Sequence, residues 1–132
     1  MKPVNRYAAN IITGLTLILA LMSGPAVAAE PAAGGSPLAE TIQYLLDFVK
    51  DSQCIFIRNN KAHNAGEAAD HIQRKYEHFR DQIQTPEDFI QLTATKSLMT
   101  GEPYYVRLKD GKKITSEAWL LKALEDYRQK PK

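Results

Sequence analysis

Between Cys54 and Tyr76 the chain reads CIFIRNNKAHNAGEAADHIQRKY, and its hydrophobic spacing changes character inside that stretch. Cys54 to Arg58 is short and rich in β-branched and aromatic side chains, which suits a strand. Asn59-Asn60-Lys61 is turn chemistry, because Asn tolerates positive φ. A brief return strand through Ala62 and His63 leads to Asn64, with Glu67 three residues on, the pattern of a capped helix start. From about Ala65 to Ile83, residues Ala68, Ala69, Ile72, Tyr76, Phe79 and Ile83 form one narrow apolar stripe at helical spacing. A hairpin followed by an amphipathic helix predicts an α+β fold.

A second run of the same plan closes the chain. Tyr104 to Leu108 (YYVRL) is a strand candidate, and Lys109-Asp110-Gly111-Lys112 carries the Asp-Gly hairpin signal. Lys113 and Ile114 return, and Thr115 or Ser116 caps a last helix to about Arg128, with Trp119, Leu120, Ala123, Leu124 and Tyr127 on its buried face. The Glu67-Ala68 and Glu117-Ala118 pairs open the two helices at matching places in each run. The expectation is two hairpin-helix units sharing one small antiparallel sheet.

Two more helices complete the set of about four. Leu38, Ile42, Leu45, Leu46 and Val49 follow helical spacing, and Tyr44 and Phe48 widen the apolar arc, so this helix is expected to be buried on more than one side. Thr85-Pro86-Glu87-Asp88 is a helix start, with a capping Thr, Pro at the first helical position and acids in the first turn. That helix carries Phe89, Ile90 and Leu92 inward and is expected to fade near Ser97 to Met99, before the breaker Thr100-Gly101-Glu102-Pro103.

Ahead of all this stands a different kind of segment. Lys2 and Arg6 precede the apolar run Ile11 to Met22, then Ser23-Gly24-Pro25, then Ala26-Val27-Ala28-Ala29. Charge, apolar core and small-residue exit in that order predict a secretory signal peptide over residues 1–29, with cleavage after Ala28 or Ala29. The apolar run is short of the ~20 residues that cross a bilayer, so no membrane span is expected once the leader is removed. Residues 30–37 (EPAAGGSP) read as a flexible linker, and 38–130 as a single small domain. The expected location is periplasmic or secreted.

Removing the leader changes the charge balance. Of the 17 Lys and Arg residues, Lys2 and Arg6 leave with it, and the 15 that remain match the 15 Asp and Glu. A formally neutral domain has no electrostatic case for binding nucleic acid. The single cysteine, Cys54, cannot form an internal disulfide, so the domain must be held by its core. Its neighbours Ile55, Phe56 and Ile57 make it a buried small hydrophobe rather than a nucleophile.

Few groups suggest chemistry. His71, Lys75, His78 and Gln82 run along one flank of the long helix. His71 and His78 are seven residues apart, about 10.5 Å along the axis, too far to share a metal ion. Glu67 and His71 lack an identifiable third ligand. Adjacent Lys96 and Ser97 do not face each other, and the chain has no G-x-S-x-G elbow, S-x-x-K pair, Gly-rich phosphate loop or C-x-x-C. No metal, cofactor or catalytic residue is therefore assigned. The binding candidates are Arg58, Asn59, His71, Lys75, Ser97 and Tyr104, which the fold could bring together.

The segments TIQYLLDFVKDSQCIFIRNN, EAADHIQRKY, PEDFIQLTATKSLMTGEPYYVR and WLLKALEDYR resemble a proteobacterial family of small exported domains of unknown function. The resemblance runs from about Leu38 to Arg128. The family's pattern is F-I-R-N-G, A-x-x-H-L-R-x-K-Y and S-G-x-P-Y. This chain matches it at Phe56 to Asn59, at His71, Lys75 and Tyr76, and at Gly101, Pro103 and Tyr104. It departs with Asn60 for Gly, Ile72-Gln73 for Leu-Arg and Thr100 for Ser. Asn can take the Gly conformation, so the turn survives. The resemblance implies export and a small α+β fold, and lends no activity.

Two functions remain from different classes. One is a non-catalytic module that binds an envelope protein or peptide. The alternative is a small hydrolase or transferase using His71 with Ser97 or Cys54, which requires those side chains within hydrogen-bonding reach.

Overall fold

The computed structural model of the chain describes residues 35–131; the expected leader, and the linker up to residue 34, lie outside the described residues. Helix α1 (Pro37–Asp51) leads into the hairpin β1 (Ile55–Arg58) and β2 (Lys61–His63), then α2 (Ala65–Phe79). Helix α3 (Pro86–Thr93), the hairpin β3 (Tyr105–Arg107) and β4 (Lys113–Thr115), and α4 (Ser116–Gln129) follow. This is a small α+β domain of four helices and one four-stranded antiparallel sheet, in the order β2-β1-β3-β4.

The two hairpins meet along β1 and β3, with Phe56 opposite Val106 at the centre. Exchanging the hairpins about that pair carries one half of the sheet onto the other, so the repeated plan in the sequence is a repeated plan in space. The turns differ. Asn59 and Asn60 have φ of 48° and 61°, which makes a two-residue type I′ turn between Arg58 and Lys61. In the second hairpin Gly111 takes the positive φ, 86°, in a longer turn closed by the Leu108 N–H on the Lys112 carbonyl.

One row of side chains across the sheet, His63, Phe56, Val106 and Ile114, faces the helices. Phe56 and Val106 are buried there. Helix α1 packs on α2 and α4, and α3 joins α2 to α4. The core between the layers is Leu45, Val49, Phe89, Ile90, Val106, Leu120 and Leu124, all fully buried. Helix α1 is buried across a wide arc, as its spacing predicts. Ile42, Leu45, Leu46 and Val49 face the centre, while Tyr44 stacks on Tyr127 at 4.3 Å and Phe48 lies 4.6 Å from Trp119.

Three boundaries differ from the sequence expectation. Helix α1 begins at Pro37, because Ser36 caps it through the Ala39 N–H and Pro takes the first helical position. The long helix stops at Phe79 rather than Ile83. A single 3₁₀ turn, Arg80–Gln82, tightens the chain so that Ile83 turns into the core. Helix α3 stops at Thr93, several residues before Ser97. The Thr93 and Thr95 hydroxyls donate to the Phe89 and Ile90 carbonyls and close the helix end.

Candidate functional site

Every element beside the groove is locally well specified. Helix α2 has a full capping box: the Asn64 side chain accepts from the Glu67 N–H, and the Glu67 carboxylate accepts from the Asn64 N–H. This fixes the helix start and hence the direction of His71 and Lys75, one turn apart on one flank. The type I′ turn places Arg58 and Asn59 at the end of β1. The third wall is the segment Thr95 to Tyr104, which doubles back on itself between α3 and β3. Lys96 pairs with Pro103, the Ser97 N–H donates to the Glu102 carbonyl, and the Tyr104 N–H donates to the Thr95 carbonyl. The Thr100 hydroxyl donates to Asn59 Oδ1 at 2.8 Å and ties this loop to the turn.

These walls enclose a groove of about 360 Å³ lined by Arg58, Asn59, His71, Lys75, Ser97, Leu98, Met99 and Tyr104. All six residues singled out in the sequence line it. They come from three separate segments, and all but Ser97 stand at positions of the resemblance pattern. A small pocket of about 20 Å³ lies beside it and shares Arg58, His71 and Tyr104, with Phe56, Ile72 and Ala94 among its apolar walls.

Inside the groove His71 Nε2 and the Tyr104 hydroxyl are hydrogen-bonded at 3.2 Å. Lys75 is only 8% exposed, yet it has no carboxylate partner among the described residues. Its ammonium donates to the Lys96 carbonyl at 3.0 Å and lies 5.2 Å from the centre of the Tyr104 ring. Arg58 likewise has no carboxylate within 4.0 Å among the described residues. The site is therefore a concentration of positive charge in a neutral domain.

The titration behaviour follows from that charge. Burial, then Arg58, Lys75, Arg74 and His63, lower the His71 pKa from 6.5 to about 4, so its ring is neutral at physiological pH. Burial, and then Arg58, lower the pKa of Lys75. Burial raises that of Tyr104, which stays a protonated hydroxyl. The groove thus offers two cations, a phenol and a neutral imidazole.

The hydrolase arrangement is not formed. Among the described residues the hydrogen-bond partner of His71 is Tyr104, and neither Ser97 nor Cys54 bonds to it. Ser97 Oγ accepts from the Met99 and Thr100 N–H groups and serves the loop. Cys54 is buried, with its thiol donating to the Ser52 carbonyl at 3.6 Å. No three His, Cys, Asp or Glu side chains gather as metal ligands among the described residues. No helix of the described residues is long and apolar enough to cross a membrane.

The flank that aligned His71, Lys75, His78 and Gln82 divides in space. The first two enter the groove, while His78 and Gln82 are exposed beyond it. Sequence reasoning missed Leu98 and Met99, which form the lip and are 63% and 94% exposed. The signal was present: two large apolar residues stand together just before the breaker Thr100-Gly101-Glu102-Pro103, where the helical pattern fades.

No solved structure matches the chain. It is similar to an uncharacterised protein, YfeK, of Salmonella typhimurium, with 45% identity over 49 residues; the match covers 37% of this chain and 41% of the Salmonella protein. The chain thus spans less than half the length of that curated relative. A model of a family of unknown function (DUF5329) matches residues 37–128, from the first turn of α1 to the last turn of α4, and the chain belongs to that family.

Proposed function

We propose that the protein is an exported binding module, without catalysis of its own, that holds an anionic group of an envelope protein or peptide in the groove between α2, the Asn59-Asn60 turn and the Thr95–Tyr104 loop. The observation that carries this reading is that Arg58 and Lys75 line one groove with no carboxylate paired to either among the described residues. Two cations held close together, one of them desolvated, cost stability unless a ligand compensates them. Tyr104 and Asn59 add neutral hydrogen-bonding groups, and the volume is that of a small-ligand site. Export rests on the order of charge, apolar run and small-residue exit in residues 1–29.

The test is an amide NMR titration of the purified protein with sodium acetate and sodium phosphate at constant ionic strength. Binding in the groove moves the Asn59, Met99, Thr100 and Tyr104 amides together and saturates, and Arg58→Ala removes the response. Uniform, unsaturable shifts with either anion would defeat the reading. Cell fractionation with intact-mass measurement tests export: the product should begin at Ala29 or Glu30 and be recovered outside the cytoplasm.

A further inference from the structure

We infer that the groove selects a carboxylate at the end of an apolar chain, the chemistry shared by a peptide C-terminus with an apolar last residue and by a fatty acid. The inference rests on the anion-binding reading above and adds the class of ligand. It stands on which donors the groove leaves free and on what borders them.

Phosphate sites in proteins are built mainly from backbone N–H groups, at helix N-termini and in nests. Most of those in the loop beside this groove are already taken. The N–H groups of Met99 and Thr100 are taken by Ser97 Oγ, that of Gly101 by the Ser97 carbonyl, and that of Tyr104 by the Thr95 carbonyl. At the start of α2 the capping box takes the Asn64 and Glu67 N–H groups. The donors that line it are chiefly side chains: the planar guanidinium of Arg58, the ammonium of Lys75, the side chain of Asn59 and the Tyr104 hydroxyl. A guanidinium fork beside a single ammonium matches a planar carboxylate, which takes paired donors in its plane.

The border of the groove supplies the second half. Leu98 and Met99 are among the few large apolar side chains exposed in the described residues, and both line this groove beside the cations. Met is adaptable and favours contacts with varied apolar groups. An anion without an apolar part would leave that lip unused. A carboxylate on an apolar chain pairs its head with Arg58 and Lys75 and covers Leu98 and Met99 with its tail.

The test is a chain-length series on the purified protein: acetate, butyrate, hexanoate and octanoate, followed by NMR or calorimetry. Affinity should rise by up to about fourfold per buried methylene and then level off once the lip is covered. Hexanamide and hexanol should bind at least about tenfold more weakly than hexanoate, because they lack the charge that Arg58 meets. The double variant Leu98→Ser, Met99→Ser changes only exposed side chains and should flatten the series while acetate binding persists. N-acetyl-leucine against hexanoate separates the sources: the tighter of the two names peptide C-terminus or fatty acid, and either supports the class. A flat series with Arg58-dependent acetate binding would overturn the ligand class and leave the anion groove standing. Phosphate binding more tightly than every carboxylate would do the same. Failure of all anions would bring down both.

Discussion

The imidazole Nε2 of His71 and the hydroxyl of Tyr104 meet at 3.2 Å, joining residues 33 apart in the chain. The rings also meet edge to face, 5.8 Å between centroids. This pair ties the middle of α2 to the residue that enters β3 and fixes one wall of the groove. Tyr104→Phe keeps the ring and its contact with Lys75 and removes the hydrogen bond. The expected cost is about 1 kcal/mol, read as a fall in thermal midpoint of roughly 4–8 °C for a domain of this size. A double-mutant cycle with His71→Phe should return a comparable coupling energy; zero coupling would show that the bond does not hold the wall.

The same histidine sets a pH dependence. In the fold His71 takes a proton only near pH 4, whereas in the unfolded chain it does so near 6.5. Between those values the unfolded state binds more protons, so stability falls as the pH drops from about 6.5 to 4 and levels off below. Burial opposes the proton most, and Arg58, Lys75, Arg74 and His63 add to it. A shift of that size corresponds to ~3 kcal/mol in a dry site, and solvent screening of a half-exposed ring reduces the expectation to about 1 kcal/mol. Urea denaturation at pH 4.5 and 7 measures it. In His71→Gln the difference between the two pH values should shrink by that amount, and an unchanged difference would assign the effect to other groups.

Much of this fold was legible because local signals agreed with one another. The Asn59-Asn60 turn, the Asn64 to Glu67 box and the Thr85-Pro86 start each act over four residues or fewer, within reach of sequence reasoning. So did the wide apolar arc of α1, whose flanking aromatics found Tyr127 and Trp119. What was illegible was set by long-range packing. Nothing local said that α2 would tighten after Phe79 to bury Ile83. Nothing local said that the Thr93 and Thr95 hydroxyls would end α3 early and leave a doubled-back loop. That loop carries Ser97, Leu98 and Met99 to the groove, so the lip could not be placed before the loop was known.

Three non-glycine positions among the described residues hold positive φ. Gln53, just past the end of α1, has φ of 55°, and Asn59 and Asn60 in the type I′ turn have 48° and 61°. Such values favour glycine, and a non-glycine residue there costs about 1 kcal/mol. Gln53→Gly should therefore stabilise the fold by about 0.5 kcal/mol, the gain being reduced by the freer unfolded chain. Asn60→Gly should be neutral to slightly stabilising, since Asn already tolerates this region. Asn60→Val should cost at least ~1 kcal/mol, because a β-branched side chain resists positive φ. Chemical denaturation midpoints at constant slope decide among them.

Cys54 gives a direct probe of the intact core. It is buried beside Ser52, at the entry to β1. A thiol-specific reagent such as Ellman's should react negligibly with the native protein and fully in guanidinium. Its rate across denaturant should follow the unfolding equilibrium. Fast native-state labelling would place the thiol in reach of solvent and contradict its burial.

Lys75 separates stability from binding. Its side chain is buried without a carboxylate, beside Arg58, and its ammonium bonds only the Lys96 carbonyl among the described residues. Lys75→Met keeps much of the apolar stem, removes a desolvated charge and relieves its repulsion with Arg58. It also leaves the Lys96 carbonyl without that donor, a cost of about 1 kcal/mol. These effects oppose each other, so the variant's unfolding free energy should lie within about 1 kcal/mol of the parent. Anion binding should nonetheless weaken at least tenfold, because one of the two cations is gone. A charged residue retained for its fold alone would give the opposite result: a loss of several kcal/mol with binding unchanged. Measuring both quantities on the same preparation of Lys75→Met distinguishes a cation kept for a ligand from one kept for the core.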